Sequence, residues 1–506
     1  MLVHLRRLSS QTLIYGLGDA VTRVAALILL PIYTRFLTPD DYGKFAIATL
    51  FATVLALILD FGQRTAFFRF YFDTDDPIAR RKLTGTVLLF LLLASTAVLI
   101  PLTLSFNRLG PLLVRDASLV PLIQISLIST FFDVGSAIPF AIFRARQYAA
   151  KYAALSLARF TINVTLNIIA IVVLHLGVVG LVYANLGTSA LFFLICLVLT
   201  VRDIEWTIEP TLLKQLLRFG LPLIPAGLAY WILNLSDRFF LQRYADLTQV
   251  GLYSVSYSIA AVLHMVIGWF NTAYAPYCYS IAKEPGATTI YARVMVYSIA
   301  LLTLLGLGLS LFAREALALL TPPSYHAAAP IVPLIVLSYL FFEVYYIVSF
   351  GFDLTRKTGY APFIIGTSAL INLGLNVVLI PRYGMYGAAV ATLVSYMLLP
   401  VIEYPIVRRL YPVPYAWGRL AKLFIISCLV YLAGAWLKTG RILIDLGSGL
   451  SLILVWGLAL YLARFFTPPE LSAARAAAQR LTTLFRKGLP PPTIESVVSG
   501  EKPDKG

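Results

Sequence analysis

The sequence predicts an all-α polytopic membrane protein, a bundle of about fourteen transmembrane helices. Three observations carry that prediction. Of the 506 residues, 59% are hydrophobic and only 13% charged, against about 25% charged in ordinary soluble domains. Apolar stretches long enough to cross a hydrocarbon core of roughly 30 Å recur almost without pause from Thr12 to Phe465. The net charge of +16 collects in alternate loops, so it reads as topology and not as a nucleic-acid-binding patch.

Hydropathy places the helices near 12–37, 41–63, 83–105, 119–143, 152–175, 178–201, 212–236, 249–280, 294–313, 328–352, 359–380, 386–407, 418–437 and 443–464. The first stretch follows Arg6 and Arg7 as a signal peptide would. It is too long, holds Asp19 and Arg23, and lacks a small-residue cleavage site, so it reads as a retained helix. With the N-terminus in the cytoplasm, Lys and Arg in the short loops favour the cytoplasmic side roughly two to one, as the positive-inside rule requires. Both termini are then expected in the cytoplasm, and the membrane is expected to be the bacterial inner membrane.

Cys196, Cys278 and Cys428 lie singly in apolar segments, with no spacing for a disulfide framework or a metal. Neither a metal site nor a catalytic residue is expected. Beyond Thr467 the composition changes. Glu470 to Lys487 can form a basic amphipathic helix, and the stretch to Gly506, with Pro490, Pro491 and Pro492, has a disordered composition. Such a tail suits an anionic membrane surface.

An internal repeat divides the bundle. Arg35 through Gly43 (RFLTPDDYG) aligns with Arg243 through Gly251 (RYADLTQVG), an offset of 208 residues. Asn163-Val-Thr-Leu-Asn167 matches Asn372-Leu-Gly-Leu-Asn376. Each is followed by a Gly-x-x-Gly, at Gly177 and Gly180 and at Gly384 and Gly387. Taken singly, such residues serve close helix packing and interhelical hydrogen bonds; their recurrence at nearly one offset concerns architecture. A repeat of six passes gives two parallel halves. Residues 1–209 form a first six-helix lobe, 210–411 a second, 412–466 two additional helices and 467–506 the cytoplasmic tail. Parallel halves pack about an axis along the membrane normal and leave a cleft that opens to either side by rocking. Pro222 and Pro225, which open the second repeat, mark a gate.

On these residues the chain resembles the Wzx-type polysaccharide flippases, in the superfamily that also holds the MATE drug antiporters and the lipid II flippases. The likeness rests on the LTPDDYG stretch within Arg35 to Gly43 and on Asn372 to Thr392 (NLGLNVVLIPRYGMYGAAVAT), and it covers about residues 10–465. The resemblance implies a MATE-like fold and the movement of undecaprenyl-pyrophosphate-linked oligosaccharide between leaflets by alternating access. It implies coupling to Na⁺ or H⁺ and no other cofactor. It also implies a monomeric transport unit among membrane lipids, with polysaccharide polymerase machinery as a partner and no nucleic acid.

A charge at the bilayer centre costs about 2.5 kcal/mol or more, so the few that are kept usually face a cavity. Asp19 and Arg23 are four apart on the first helix, and Asp60 and Arg64 four apart at the end of the second, so each pair can share a helical face. Arg159 lies within the fifth helix. Arginine offers phosphate oxygens a permanent, bidentate donor. Arg23, Arg64 and Arg159, with Asp19 and Asp60 beside them, are therefore the candidate pyrophosphate-binding set. A self-neutralising ion pair is the competing reading of each i, i+4 pair, and a topology anchor that of Arg64. Asp133, Glu343 and Glu403, in the fourth, tenth and twelfth helices, are the unpaired carboxylates and the candidate coupling-ion groups. Asp237 with Arg238 lies near the outer end of the seventh. His264 and the aromatic runs at 67–72 and 341–346 read as packing.

Two other functions compete. A MATE-like drug antiporter should prefer an acidic cavity for cationic drugs, against the basic residues of the first, second and fifth helices. A polyprenol-dependent glycosyltransferase or polymerase needs an acidic motif to hold metal. The only D-x-D-like run is Asp73-Thr74-Asp75-Asp76, beside Arg80, Arg81 and Lys82, where it reads as a charge-balanced turn.

Overall fold

The computed structural model describes residues 29–472; Asp19, Arg23 and the tail beyond residue 472 lie outside the described residues. Among the described residues, twelve helices are long and apolar enough to cross a membrane. Residues 29–36 are also helical, at the end of the first expected pass. The Tyr360–Leu410 helix has 51 residues, which would extend about 76 Å at 1.5 Å per residue, more than twice the roughly 30 Å of a bilayer core. It breaks at Gly384, whose φ of 55° and ψ of −132° are not helical. The 360–410 segment therefore holds both passes expected at 359–380 and 386–407.

The turns at 37–38, 114–118, 174–176 and 245–246, with the Gly384 break, mark what we call the upper end of the bundle. Those at 73–76, 146–148, 204–209, 282–286 and 355–359 mark the lower end. Gly177 repeats the left-handed φ of Gly384, at 56° against 55°. An L side chain rarely adopts that backbone, which is why a glycine stands at each of the two matched turns.

Local capping fixes where the central pair of helices begins. Thr38 caps Pro39–Leu59 in a reciprocal box with Asp41, with Pro39 in the first turn. Asp246 caps Leu247–Ile281 by accepting from the Gln249 backbone N–H at 2.7 Å. Five residues inside each cap the two helices cross at glycines. A Cβ on Gly43 would sit 1.9 Å from the Leu247 carbonyl oxygen, and one on Gly251 would sit 1.9 Å from the Pro39 carbonyl oxygen. The contact is reciprocal between residues 208 positions apart, so the backbones touch as small-residue crossings allow.

Each crossing helix also belongs to its own side. Pro39–Leu59 packs on Leu119–Ala145, which in turn holds Pro77–Leu113 and Gly177–Thr200. Leu247–Ile281 packs on Val332–Leu354, and Tyr360–Leu410 lies against both Val332–Leu354 and Ile224–Tyr244. Trp417–Trp436 and Ile442–Leu462 pair with each other and lean on Ala287–Leu311. Their outward leucines, among them Leu443 at 85% exposure and Leu454 at 76%, suit lipid.

Hydrogen bonds close the upper end around the crossing. Tyr325 donates its hydroxyl to the Leu37 carbonyl at 2.9 Å. Gln242 donates to the Leu113 carbonyl at 3.1 Å and accepts from the Arg115 N–H at 3.2 Å. The Gln249 side chain accepts from the Met385 N–H at 3.0 Å, just past the Gly384 break. At the lower end, Glu470 ties the chain after the last helix to the bundle. Burial alone would raise its carboxyl, but the Thr467 N–H, the Tyr297 hydroxyl and the Arg419 guanidinium hold it at about 2. A depressed carboxyl gives stability that is complete above its ordinary range and is lost as pH falls through 2, so this anchor persists across physiological pH.

Replacing Gly43 or Gly251 by alanine drives a methyl group into a backbone carbonyl and should cost about 1–3 kcal/mol. Gly366, whose Cβ would meet nothing within 4 Å, should accept alanine without loss. Thermal unfolding of the detergent-solubilised protein distinguishes the sites; equal midpoints for all three variants would contradict the backbone crossing.

Candidate functional site

The Pro39–Leu59 helix stands between two cavities. One, of about 610 Å³, lies within the first half of the chain and is lined by Asp133, Tyr152, Arg159, Asn163, Asn185 and Ser189 among others. The other, of about 440 Å³, lies in the seam between the crossing helices and is lined by Tyr42, Arg238, Ser254, Tyr257, Ser258 and Tyr339 among others. Phe45, Thr49 and Thr53 line both. The cavities thus adjoin along one helix, with an arginine on the far wall of each.

Arg159 is where the sequence places it, inside the Ala149–Ile168 helix, but it is not alone. Its Nη2 lies 2.5 Å from Asp133 Oδ1 on the Leu119–Ala145 helix. The same oxygen accepts from the Ser189 hydroxyl at 2.9 Å, and the guanidinium sits 4.9 Å from the centroid of the Phe192 ring. The expectation of an unpaired Asp133 is therefore corrected. A partner 26 residues away neutralises it, because the two helices bring opposite charges together in a setting where either alone is costly. The pair is 36–40% exposed, and among the described residues the guanidinium donates only through Nη2, with N–H groups to spare for a second anion.

Arg238 and Asp237, set by sequence near the outer end of their helix, are buried in the seam at 8% and 1% exposure. Asp237 Oδ1 accepts from the Arg238 backbone N–H at 2.8 Å and from its Nη1 at 3.2 Å. Oδ2 accepts from the Tyr253 hydroxyl at 2.5 Å, with Tyr257 at 3.4 Å and Thr392 at 3.5 Å. The Arg238 guanidinium also lies 4.5 Å from the Tyr257 ring centroid. Sequence reasoning passed over this pair as site residues. The available signal was two adjacent opposite charges in an apolar stretch, followed by tyrosines at i and i+4 on the next helix.

The other expected residues lie elsewhere. Arg64 Nε is 3.7 Å from Asp60 Oδ1 and its side chain is 59% exposed. The two still form the i, i+4 ion pair across the left-handed Phe61 and Gly62, but Arg64 lines neither cavity. Glu343 is fully buried and accepts from Asn271 Nδ2 at 3.0 Å through one oxygen. Glu403 is fully buried and neither carboxyl oxygen has a hydrogen-bond partner among the described residues. These two share no wall with Arg159 or Arg238. The matched asparagines serve packing: Asn167 donates to Asn163 at 2.9 Å, and Asn376 to Asn372 at 3.0 Å. In the acidic run, Asp76 caps the Pro77–Leu113 helix and Asp75 pairs with Arg80.

Among the described residues, the two cavities hold two arginines, each matched to one carboxylate. Such a site is neutral at rest, and an entering phosphate can take a guanidinium in exchange for its carboxylate. Removing Asp237 as Asp237→Ala strands a buried guanidinium and should cost about 3–5 kcal/mol, while adding Arg238→Met should recover most of the loss. Asp133→Ala, at the half-open pair, should cost less than Asp237→Ala, because the guanidinium it strands is 40% exposed. Unfolding midpoints of the purified protein check the order; a milder loss for Asp237→Ala than for Asp133→Ala would contradict it.

The family described as "Polysaccharide biosynthesis protein" matches residues 8–282. Lsg locus putative protein 1 of Haemophilus influenzae is 21% identical over 282 residues, which cover 54% of this chain and 66% of that protein. An uncharacterized membrane protein of Methanocaldococcus jannaschii is 27% identical over 114 residues, 22% of each chain. The chain thus spans less than two thirds of either relative's length. Among solved structures, lipid II flippase MurJ in an inward closed conformation superposes with a TM-score of 0.72 at 15% identity, covering 89% of this chain and 99% of that one. An inward-facing multidrug resistance MATE transporter of the MOP superfamily superposes at 0.64 and 16% identity, covering 77% and 94%. These likenesses establish a MATE-like fold. With the family match spanning more than half its length, the chain belongs to the polysaccharide biosynthesis protein family, as a multi-pass membrane protein.

Proposed function

We propose that the chain is a flippase that carries an oligosaccharide linked to undecaprenyl pyrophosphate across the bacterial inner membrane by alternating access. The observation that carries the reading is the placement of Arg159 and Arg238 on the far walls of two adjoining cavities. Either guanidinium can donate to the oxygens of a pyrophosphate, and the half-open pair at Arg159 is the one a second anion opens more readily. Family membership supports a polysaccharide cargo. The lobes are residues 1–209 and 210–411, rocking so that they part at the crossing of Gly43 and Gly251, with the lower, more basic end in the cytoplasm. In this reading the upper end is closed and the two C-terminal helices stay outside the moving pair.

Glu343 and Glu403 are the coupling groups of this proposal. Both are carboxyls buried among apolar side chains without a cation in contact, and such groups in membrane helices carry protons or bind Na⁺. Asp133 has a double role, releasing Arg159 to cargo when it is itself neutralised. A cation-coupled drug antiporter is the alternative, favoured by the tyrosines around Asp237; the salt-bridged Arg238 beside that carboxylate disfavours a cationic drug there. Asp76 and Asp75 of the 73–76 run are engaged in a cap and an ion pair, which supports transport over glycosyl transfer.

In a host that lacks its own flippase, Arg159→Gln and Arg238→Gln should each lower surface glycan about tenfold or more, the value of a charge-assisted hydrogen bond lost from the cargo complex. Membrane levels of the Arg159→Gln protein should hold and Arg64→Gln should export normally, while export by Arg238→Gln, which strands the buried Asp237, is read per molecule of protein in the membrane. Wild-type export by both cavity variants would contradict the proposal. Glu343→Gln and Glu403→Gln should change how export depends on pH or Na⁺, and an unchanged dependence in both would remove them from the mechanism.

A further inference from the structure

A third cavity, of about 620 Å³, opens at the lower end of the first half, away from Arg159 and Arg238. Three turns form it: the one joining the Gln63–Phe72 and Pro77–Leu113 helices, the one after Ala145, and the one that follows Gly177–Thr200. Arg80, Arg81, Arg146 and Arg202 line it, with Asp203 as the lining carboxylate. Asp75 meets Arg80 at 2.9 Å and Asp203 meets Arg146 at 2.5 Å. Four arginines therefore face two carboxylates, an excess of two positive charges.

The arrangement is built, not merely crowded. Arg81 donates through Nε at 2.7 Å, and also through Nη2, to the Arg202 carbonyl, while Arg80 Nε donates to the Tyr71 carbonyl at 3.2 Å. A backbone carbonyl thus fixes the Arg81 guanidinium without neutralising it, while Arg80 is held by a carbonyl and by its pair with Asp75. The Arg202 guanidinium makes none of these bonds and stands exposed beside them. Phe72 and Ile78, on the cavity rim, leave 59% and 60% of their surface uncovered. A cationic pocket with an apolar lip, at the level where helices leave the bilayer, fits an amphiphile whose anionic end enters the pocket and whose chain runs along the lip.

We propose that this pocket binds the phosphate-bearing headgroup of a membrane lipid, with Arg81, Arg146 and Arg202 as its donors and Phe72 and Ile78 against the chain. Two lipids offer that chemistry, a glycerophospholipid such as phosphatidylglycerol and a prenyl diphosphate. The site lies outside the transport cavities and does not rest on the export reading: it binds lipid whether or not Arg159 binds cargo.

Native mass spectrometry of the full chain, released from nanodiscs of phosphatidylglycerol in phosphatidylcholine, reads retained lipid directly. The wild type should keep phosphatidylglycerol, and Arg202→Gln should lower retention about fivefold, the share of one arginine near an anionic surface. Arg202→Glu should lower it further, and Arg408→Gln with Arg409→Gln, basic positions outside the pocket, should leave it unchanged. Because the Arg202 side chain supports no turn, its variants keep the fold, which the thermal midpoint verifies. Added undecaprenyl diphosphate that displaces phosphatidylglycerol assigns the site to the prenyl carrier; failure to displace it assigns the site to the phospholipid. Wild-type retention by Arg202→Gln, by Arg202→Glu and by Arg80→Gln with Arg146→Gln would overturn the proposal.

Discussion

The crossing of Pro39–Leu59 and Leu247–Ile281 at Gly43 and Gly251 is the contact around which the bundle is arranged. Two carbonyl oxygens occupy the space where two Cβ atoms would stand. At the two glycines the close approach is between backbones, so parting the helices there gives up dispersion contacts and a few hydrogen bonds. In lipid, where no hydrophobic force drives helices together, such a junction is suited to opening and closing. The N-caps at Thr38 and Asp246 set its register, and Tyr325, Gln242 and Gln249 surround it with bonds to backbone atoms. Below it the seam widens into the cavity that holds Arg238.

The charges inside the bundle follow from the same solvent. An isolated guanidinium at membrane depth is expensive, so Arg159 and Arg238 are each matched by an aspartate and an aromatic face. The two matches differ in depth. Asp237 and Arg238 are sealed by tyrosine hydroxyls and a carbonyl, and that bonding holds the seam in register. Asp133 and Arg159 are open to the larger cavity, so exchange of partners there costs less. In the flippase reading, the first pair supplies position and the second supplies the more readily exchanged ligand.

Much of the architecture was legible because it rests on local rules. Length and hydropathy set the passes, and the recurrence of Gly177 and Gly384 at nearly one offset pointed to architecture, which their matched turns embody. The repeat of Arg35–Gly43 in Arg243–Gly251 foretold a relation between distant segments, and the reciprocal crossing is its physical content. What hydropathy cannot supply is direction around a helix. It gave depth for Arg159 and Asp133 without showing that they face each other across 26 residues of sequence. It placed Arg238 near a helix end without the tilt that buries it. For Asp60 and Arg64 the i, i+4 rule supplied the pair but not the place of Arg64, which lines neither cavity. Glu343 and Glu403, singled out as unpaired carboxylates, have no salt-bridge partner among the described residues, although Asn271 donates to Glu343.

The central claim is that the halves separate at the glycine crossing. Spin labels at Arg35→Cys and Arg243→Cys, exposed positions flanking the crossing and related by the repeat, report on it most directly. Cys428 is exposed while Cys196 and Cys278 are buried, so the labels belong in a Cys428→Ser background. Pulsed electron resonance on the protein in nanodiscs, with and without a prenyl-diphosphate-linked oligosaccharide, measures the distance distribution. The account predicts a second population, longer by about 10 Å, roughly the separation of packed helices, whose share changes with the ligand. A single unchanging short distance, in protein that exports glycan, would contradict it.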